Sequence, residues 1–356
     1  MDKSELQDIN YRNNAFDLLK MIAAFIVVLS HSFRHFGVDK PAWSLFLTDG
    51  SVGVIVFFAI TGFVMMPAWE KMENKNGGGI RTYFSFLYKR ILRLYPPLWV
   101  SFLIISIANM LISNIDVFSF GYLVYAIKYC VLANGAGFGV SGIANGVLWT
   151  IMADIIFYIL APLIYKLMKN QKIWVWLLVI FAFWQFNVWD EQVVSLFQRV
   201  PFFGRFISAD FALCFMYEFL IGCFLYFKRN VIISFFVNNK IWAYIWFVIF
   251  IVFFQIYNYY DIIPQTGLMH SPWIGVLVAP LAIILGFVFG NVKIKLEMSY
   301  SIFLYHMVII AILKSFGIIG VLGIALTLCI TPIIALISRI LVEMPILKLK
   351  EKISLK

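Results

Sequence analysis

Ionisable side chains interrupt stretches of this chain that are otherwise apolar. Asp17, Lys20 and His31 fall in FDLLKMIAAFIVVLSHS, Asp154 in GVLWTIMADIIFYILAPLIY, Glu218 in ALCFMYEFLIGCF and His306 in EMSYSIFLYHMVI. Inside a bilayer each such group costs a few kcal/mol or more, so it faces a partner, a wet cavity or a reaction. Lys20 and His31 stand eleven residues apart. That is close to three helical turns, so both project from one face, separated by about 16 Å along the axis. An imidazole at the far end of such a face can take or give a proton, or carry a transferred group. Plainer readings stand beside this one: a lysine that snorkels to the surface, and a histidine hydrogen-bonded within a bundle. Asp17 fits a first-turn helix charge equally well. His306 reads more readily as a packed histidine than as a catalyst, and Glu218 shares the ambiguity.

Arg90 and Arg93 lie in YFSFLYKRILRLYPPLW. A spacing of three sets both guanidiniums on one helix face, and Pro96-Pro97 predicts a break or kink just beyond them. Two arginines with Lys89 beside them make a phosphate clamp. The alternative is basic anchoring at a cytoplasmic surface with Tyr95 and Trp99 as an aromatic belt. Asp154 is expected at a depth similar to that of His31, where a carboxylate can orient an imidazole or handle a proton itself. Its plain alternative is a polar tether between helices.

The elements that must position these residues follow from composition. Of 356 residues 63% are hydrophobic and 13% charged, and mean hydropathy is +0.92. A soluble domain is about 45–50% apolar and about 25% charged, so the bulk of this chain faces lipid. Cytosolic enzymes, nucleic-acid modules and disulfide scaffolds are excluded on that ground. A span takes about 20 apolar residues, which predicts an all-α polytopic membrane bundle of ten helices. They fall near 16–36, 52–69, 94–114, 147–168, 172–188, 207–227, 241–260, 272–290, 298–315 and 319–342, with an amphipathic stretch at 121–133. The first apolar run is read as a retained span and not as a signal peptide. With the N-terminus cytoplasmic, 20 of the 28 basic residues fall on inside segments and six outside. That split, and the net charge of +10, fit ten spans with both termini cytoplasmic and basic loops against anionic headgroups. Residues 1–15 then form a cytoplasmic segment, 16–345 the membrane domain and 346–356 a basic tail. Cys130, Cys214, Cys223 and Cys329 lack metal or disulfide spacing and read as small buried hydrophobes.

Taken in order, these segments resemble acyltransferase family 3, the bacterial multi-pass membrane O-acyltransferases that include glycan O-acetyltransferases. FDLLKMIAAFIVVLSHS is similar to the family's opening basic residue and histidine, here Lys20 and His31. GVIVFFAITGFVM resembles its second-span signature through Phe57, Phe58, Thr61, Gly62 and Phe63. KRILRLYP carries the Arg-x-x-Arg element, LWTIMADIIFYILAP a block with Asp154 where glutamate is usual, SYSIFLYH a late block ending at His306, and LVEMP a terminal Glu-x-Pro at Glu343 and Pro345. Lys20 replaces the commoner arginine, which keeps the charge and loses the bidentate fork.

The resemblance implies a bacterial inner-membrane enzyme that moves an acyl group, acetyl above others, from cytoplasmic acyl-CoA to a hydroxyl of a cell-envelope glycan or lipid-linked sugar. No metal and no nucleic acid are implied. Arg90, Arg93 and Lys20 would hold the donor, His31 would be general base or acyl carrier, and Asp154 would set the His31 tautomer. Asp17, Glu218 and His306 remain substrate-contacting or structural candidates. The rival reading is a proton-coupled transporter of a sugar or anion, using His31, Asp154 and Glu218 as a relay, although the internal symmetry common in transporters is not found. A non-catalytic assembly protein is a further alternative.

Overall fold

The structure, a computed structural model, describes residues 10–41, 46–132, 143–199, 212–260 and 272–348. Lys3, Arg205, Lys350, Lys352 and Lys356, which enter the charge balance above, lie outside the described residues. Among the described residues there are thirteen α-helices and no strand. They are α1 (Phe16–Phe36), α2 (Gly50–Asn76), α3 (Ile80–Leu111), α4 (Phe120–Leu132), α5 (Leu148–Met168), α6 (Ile173–Val188), α7 (Asp190–Gln198), α8 (Met216–Phe227), α9 (Ile232–Asn238), α10 (Lys240–Tyr260), α11 (Pro272–Val288), α12 (Ser299–Ser315) and α13 (Gly320–Ser338).

By length and composition five of these helices cross a membrane alone, and seven spans result if the bent pairs α6–α7 and Ala212–Phe227 with α9 each count as one. Of the remaining apolar helices, α4, α11 and α12 are shorter. At 17 residues each, α11 and α12 rise about 26 Å against a hydrocarbon core of about 30 Å. The structure thus supports five to seven spans where the apolar windows predict ten.

Most predicted boundaries agree to within a few residues because local signals set them. Asn14 Oδ1 accepts from the backbone N–H of Phe16 at the start of α1, and Gly37, at φ 68°, takes the left-handed turn that ends it. Asp49 accepts from the N–H of Ser51 at the start of α2. The exceptions are α2, which continues to Asn76 where the window ends near 69, and α3, which begins at Ile80 and not near 94, and runs through Pro96-Pro97 as one helix. Arg90 and Arg93 therefore sit inside it, well past its entry. Its 32 residues rise about 48 Å, so its polar first turns extend beyond the hydrocarbon and carry no hydropathy signal.

The centre of the bundle is α2, packed against α1, α5, α8 and α11. Its crossing with α8 is a backbone-to-backbone contact. A Cβ on Gly62 would strike the Phe219 carbonyl, and one on Gly222 would strike that of Ala59, the close approach that small residues allow between membrane helices. Around that crossing Phe58 stacks on Phe219 at 4.4 Å and Phe63 meets Phe16 edge-on at 5.4 Å. The second-span signature is thus largely packing, with Phe57 and Thr61 left to face a cavity. At the other end of the sequence, Glu343 accepts from Ser301 of α12 and pairs with Arg339 at 2.8 Å, tying the helical extension of α13 to the bundle. Cys214 and Cys223 are buried, whereas Cys130 is half-buried and Cys329 exposed, so the expectation of four buried thiols fails for two.

Candidate active site

α1 lies against α2 and α12 along its length, and two polar sites are built on it eleven residues apart. Near its start a cavity of about 350 Å³ opens between α1, α2, α3, α5 and α12. Asp17, Lys20, Arg90, Arg93, Asp154 and Tyr158 supply its polar lining. Lys20 Nζ lies 2.9 Å from Asp17 Oδ1 and 3.8 Å from Glu297 Oε2, while Arg93 Nη2 lies 3.7 Å from the same Glu297 oxygen. The Glu297 carboxylate is further held by the backbone N–H of Ser299 at 3.0 Å and by the Ser299 hydroxyl. Burial alone would raise its pKa, but Lys20, Arg93 and the Ser299 hydrogen bonds outweigh burial and hold it down at about 2.

Two buried polar atoms of the lining residues, Arg90 Nε and Asp154 Oδ1, have no hydrogen-bond partner among the described residues. A buried polar group left this way costs on the order of 1–3 kcal/mol, and such orphans mark where a ligand or ordered water completes the set. The guanidinium of Arg90 rests over the ring of Phe86 at 5.2 Å. On the neighbouring face Tyr300, also of the lining, donates to the Leu94 carbonyl of α3 at 2.7 Å. Three cations lining one pocket, Arg90 among them with an orphaned donor, suit a phosphate-bearing ligand. The orphaned carboxylate oxygen of Asp154 suits an N–H or O–H on the same ligand.

Toward the far end of α1 the second site is a hydrogen-bonded pair of histidines. His31 Nδ1 lies 2.8 Å from His306 Nε2, and the two rings are parallel to within 7° at 5.0 Å. His306 Nδ1 in turn lies 2.6 Å from the Phe303 carbonyl oxygen, and His306 is fully buried. Phe57 and Phe303, edge-to-face at 5.6 Å, both line the cavity. Phe303 is three residues from His306, about 4.5 Å along the helix. Phe303 thus brings the cavity lining to within about one helical turn of His306, and neither histidine is among the lining residues.

Set against expectation, Lys20, Arg90 and Arg93 do converge, and Asp17 joins them. Asp154 does not meet His31. It stands among the arginines, and the ring that contacts His31 is His306, because α5 faces the start of α1 through the cavity whereas α12 runs alongside its end. Glu218 is fully buried in α8, the helix that crosses α2 at Gly62, and is not among the lining residues. Sequence reasoning missed Glu297 and Tyr300. Glu297 sits in the short loop before α12, where a carboxylate reads as solvated. Only its place in the EMSYSIFLYH block hinted at more.

A family profile described as "Acyltransferase domain" matches residues 13–343. Nodulation protein 10 of Rhizobium leguminosarum bv. viciae is 27% identical over 189 residues, which cover 48% of this chain and 49% of that protein. The O-acetyl transferase of Shigella phage Sf6 is 24% identical over 181 residues, 48% of this chain and 52% of that protein. The chain thus spans about half the length of the curated relatives it matches. No solved structure matches. With nearly its whole described length under the family profile and both sites in the motif blocks, the chain belongs to acyltransferase family 3.

Proposed function

We propose that this protein is a membrane O-acyltransferase that moves an acetyl group from acetyl-CoA to a hydroxyl of an envelope glycan or lipid-linked sugar. It works from the inner membrane through ten spans with both termini cytoplasmic. The observation that carries the reading is the pairing of two unlike sites on one helix. A cation-lined cavity with unfilled hydrogen-bonding positions lies near one end of α1, and a histidine pair lies about one turn of α12 beyond the lining residue Phe303. The name of the phage relative supports acetyl as the group and oxygen as the acceptor.

In this mechanism Arg90, Arg93 and Lys20 grip the phosphates of the donor while its thin arm runs up the cavity between α2 and α5. Asp154 accepts a hydrogen bond from that arm, and the thioester passes Phe57 and Phe303 to reach His31. His31 removes the proton of the acceptor hydroxyl as the oxygen attacks the thioester carbonyl. The C–O bond forms, the C–S bond breaks, and the leaving thiolate takes the proton back from the imidazolium.

Mass spectrometry of envelope glycans and lipid-linked sugars tests the reading, with wild type, a deletion strain and the His31→Ala variant compared. The expected result is an acyl mass increment present in wild type and absent from the other two. An increment that survives His31→Ala at equal protein level overturns the role of His31. Cells whose glycans are identical with and without the gene overturn the reaction.

A further inference from the structure

The mechanism above uses one histidine of the pair and leaves the other without a task. We infer that His306 is the positioning partner of His31, that it fixes His31 in the Nδ1–H tautomer, and that the proton-accepting atom is therefore His31 Nε2. This deepens the general-base reading and rests on it for its kinetic part alone.

The argument runs from an atom whose role is fixed. The Phe303 carbonyl oxygen has no proton, so it only accepts. His306 Nδ1, at 2.6 Å from it, must carry a hydrogen. A neutral imidazole has one N–H, so His306 Nε2 presents a lone pair. His31 Nδ1, at 2.8 Å from that lone pair, must then be the donor. The single N–H of a neutral His31 is used in this bond, and its Nε2 is left as a lone pair. No hydrogen bond to His31 Nε2 occurs among the described residues.

The opposite polarity fails on each link. If His306 Nε2 were to donate to His31, its Nδ1 would face the Phe303 oxygen lone pair to lone pair at 2.6 Å. The remaining option is an imidazolium at His306 carrying both hydrogens. That places a charge at a site with no exposed surface, and the hydrogen bonds of the pair include no carboxylate to offset it. A buried charge without a hydrogen-bonded counter-ion is strongly disfavoured.

The chain of bonds from the α12 backbone through His306 to His31 thus does what a carboxylate does behind a catalytic histidine elsewhere: it selects the tautomer and the ring orientation. Here the orienting group is neutral. When His31 Nε2 takes a proton, the Nδ1–H already points at the His306 lone pair, and that bond becomes charge-assisted and shorter. The base is poised on the side away from α12 with no proton to lose first. His306 itself touches no substrate.

The test reads the tautomer directly. Nitrogen-15 spectra are recorded on full-length protein in lipid, labelled at its four histidines and assigned with His35→Gln, His270→Gln and His31→Gln. The expected wild-type spectrum shows His31 protonated at Nδ1 and His306 protonated at Nδ1. In His306→Leu the His31 signal shifts to protonation at Nε2. Wild-type His31 protonated at Nε2, or a His31 pattern unchanged in His306→Leu, overturns the inference whether or not His31 proves to be the base. If His306→Leu fails to insert, His306→Gln replaces it, since its amide oxygen still accepts from His31 Nδ1 with a different reach. There the expected change is a weakened but retained Nδ1–H signature. In kinetics, kcat is expected to fall about tenfold or more in His306→Leu, to recover in part in His306→Gln, and the KM for acetyl-CoA to stay within twofold. A loss confined to KM overturns the positioning role.

Discussion

The two polar sites on α1 stand in the same helix, buried in the same bundle, and solve the cost of buried polarity in opposite ways. At the histidine pair every link is made within the protein: carbonyl to imidazole, imidazole to imidazole. At the cavity the bookkeeping is left open, with ion pairs of 3.7 and 3.8 Å that are longer than a direct charge-assisted bond and orphaned atoms on Arg90 and Asp154. Satisfied networks rigidify, whereas unsatisfied ones wait for a partner. On the proposed mechanism, that difference gives alignment to one end of α1 and ligand capture to the other. It also says which kinetic constant each end should control.

The sharpest way to break that assignment is His31→Ala. General acid–base catalysis contributes about 10²–10⁴-fold, so the acetyl-transfer rate of the purified variant should fall by at least that lower bound. Its KM for acetyl-CoA should stay near that of wild type, and expression and insertion should be normal. A variant that loses affinity and keeps turnover would place His31 with the cavity and erase the contrast.

The paired variant Arg90→Ala with Arg93→Ala should do the reverse. Each guanidinium–phosphate bond is worth about 1.5–3 kcal/mol, so KM for acetyl-CoA should rise ~10–100-fold or more while kcat changes little. Asp154→Asn separates the two ends more finely. If Asp154 serves the donor arm in the cavity, the variant raises KM a few-fold with kcat preserved, since an amide keeps one acceptor oxygen. A loss of kcat alone, measured by initial rates at saturating donor, would return Asp154 to the catalytic histidine.

How much of this contrast was legible in the chain depends on distance along it. Lys20 and His31 share a helix, so a 3.6-residue period alone puts them on one face and separates their depths. Arg90 and Arg93 share another. The partners that define each site lie elsewhere: His306 is 275 positions from His31, and Glu297 lies outside any helix. Periodicity ranks faces within a helix and is silent on which faces meet, so sequence depth alone sets Asp154 level with His31, whereas it stands with the arginines near the start of α1. The same limit explains α3. Arg81, Lys89, Arg90 and Arg93 lower the hydropathy of its first half, and a chain leaving the hydrocarbon as continuous helix looks in sequence like a loop. Family motifs carried what spacing could not, because Phe57, Gly62, His306 and Glu343 were marked without any account of their contacts.

Between the two ends stand Phe57 and Phe303, and they offer a way to sharpen the comparison instead of breaking it. If the cavity captures the donor and the pair aligns the reaction, the aromatic rings bound the space left for the acyl group. Phe57→Leu shortens that wall. One methylene in an apolar pocket is worth about 1–3 kcal/mol, so the preference for acetyl-CoA over butyryl-CoA, taken as a ratio of kcat/KM, should fall about tenfold. Acetyl transfer itself should change less. An unchanged ratio would mean that the acyl group never lies against these rings.

The smallest effect is expected at Glu297, the carboxylate that stands in for an anion between Lys20 and Arg93. Removing its charge in Glu297→Gln leaves both cations free for phosphate, so KM for acetyl-CoA should fall about two- to threefold, as expected of one ion pair at this separation. Stability should move the other way and only above a definite pH. Glu297 titrates at about 2 in the folded protein against an ordinary value of 4.5. A depressed folded value adds stability above about 4.5, and that stability is lost as pH falls from there toward 2. Wild type should therefore unfold at a higher temperature than Glu297→Gln at neutral pH, with the gap closing between pH 4.5 and 2 in thermal scans of the detergent-solubilised protein. A gap that is constant across that range would mean that Glu297 stabilises through packing or its Ser299 bonds and not through the two cations. The open electrostatics of the cavity would then have to rest on Arg90 and Asp154 alone.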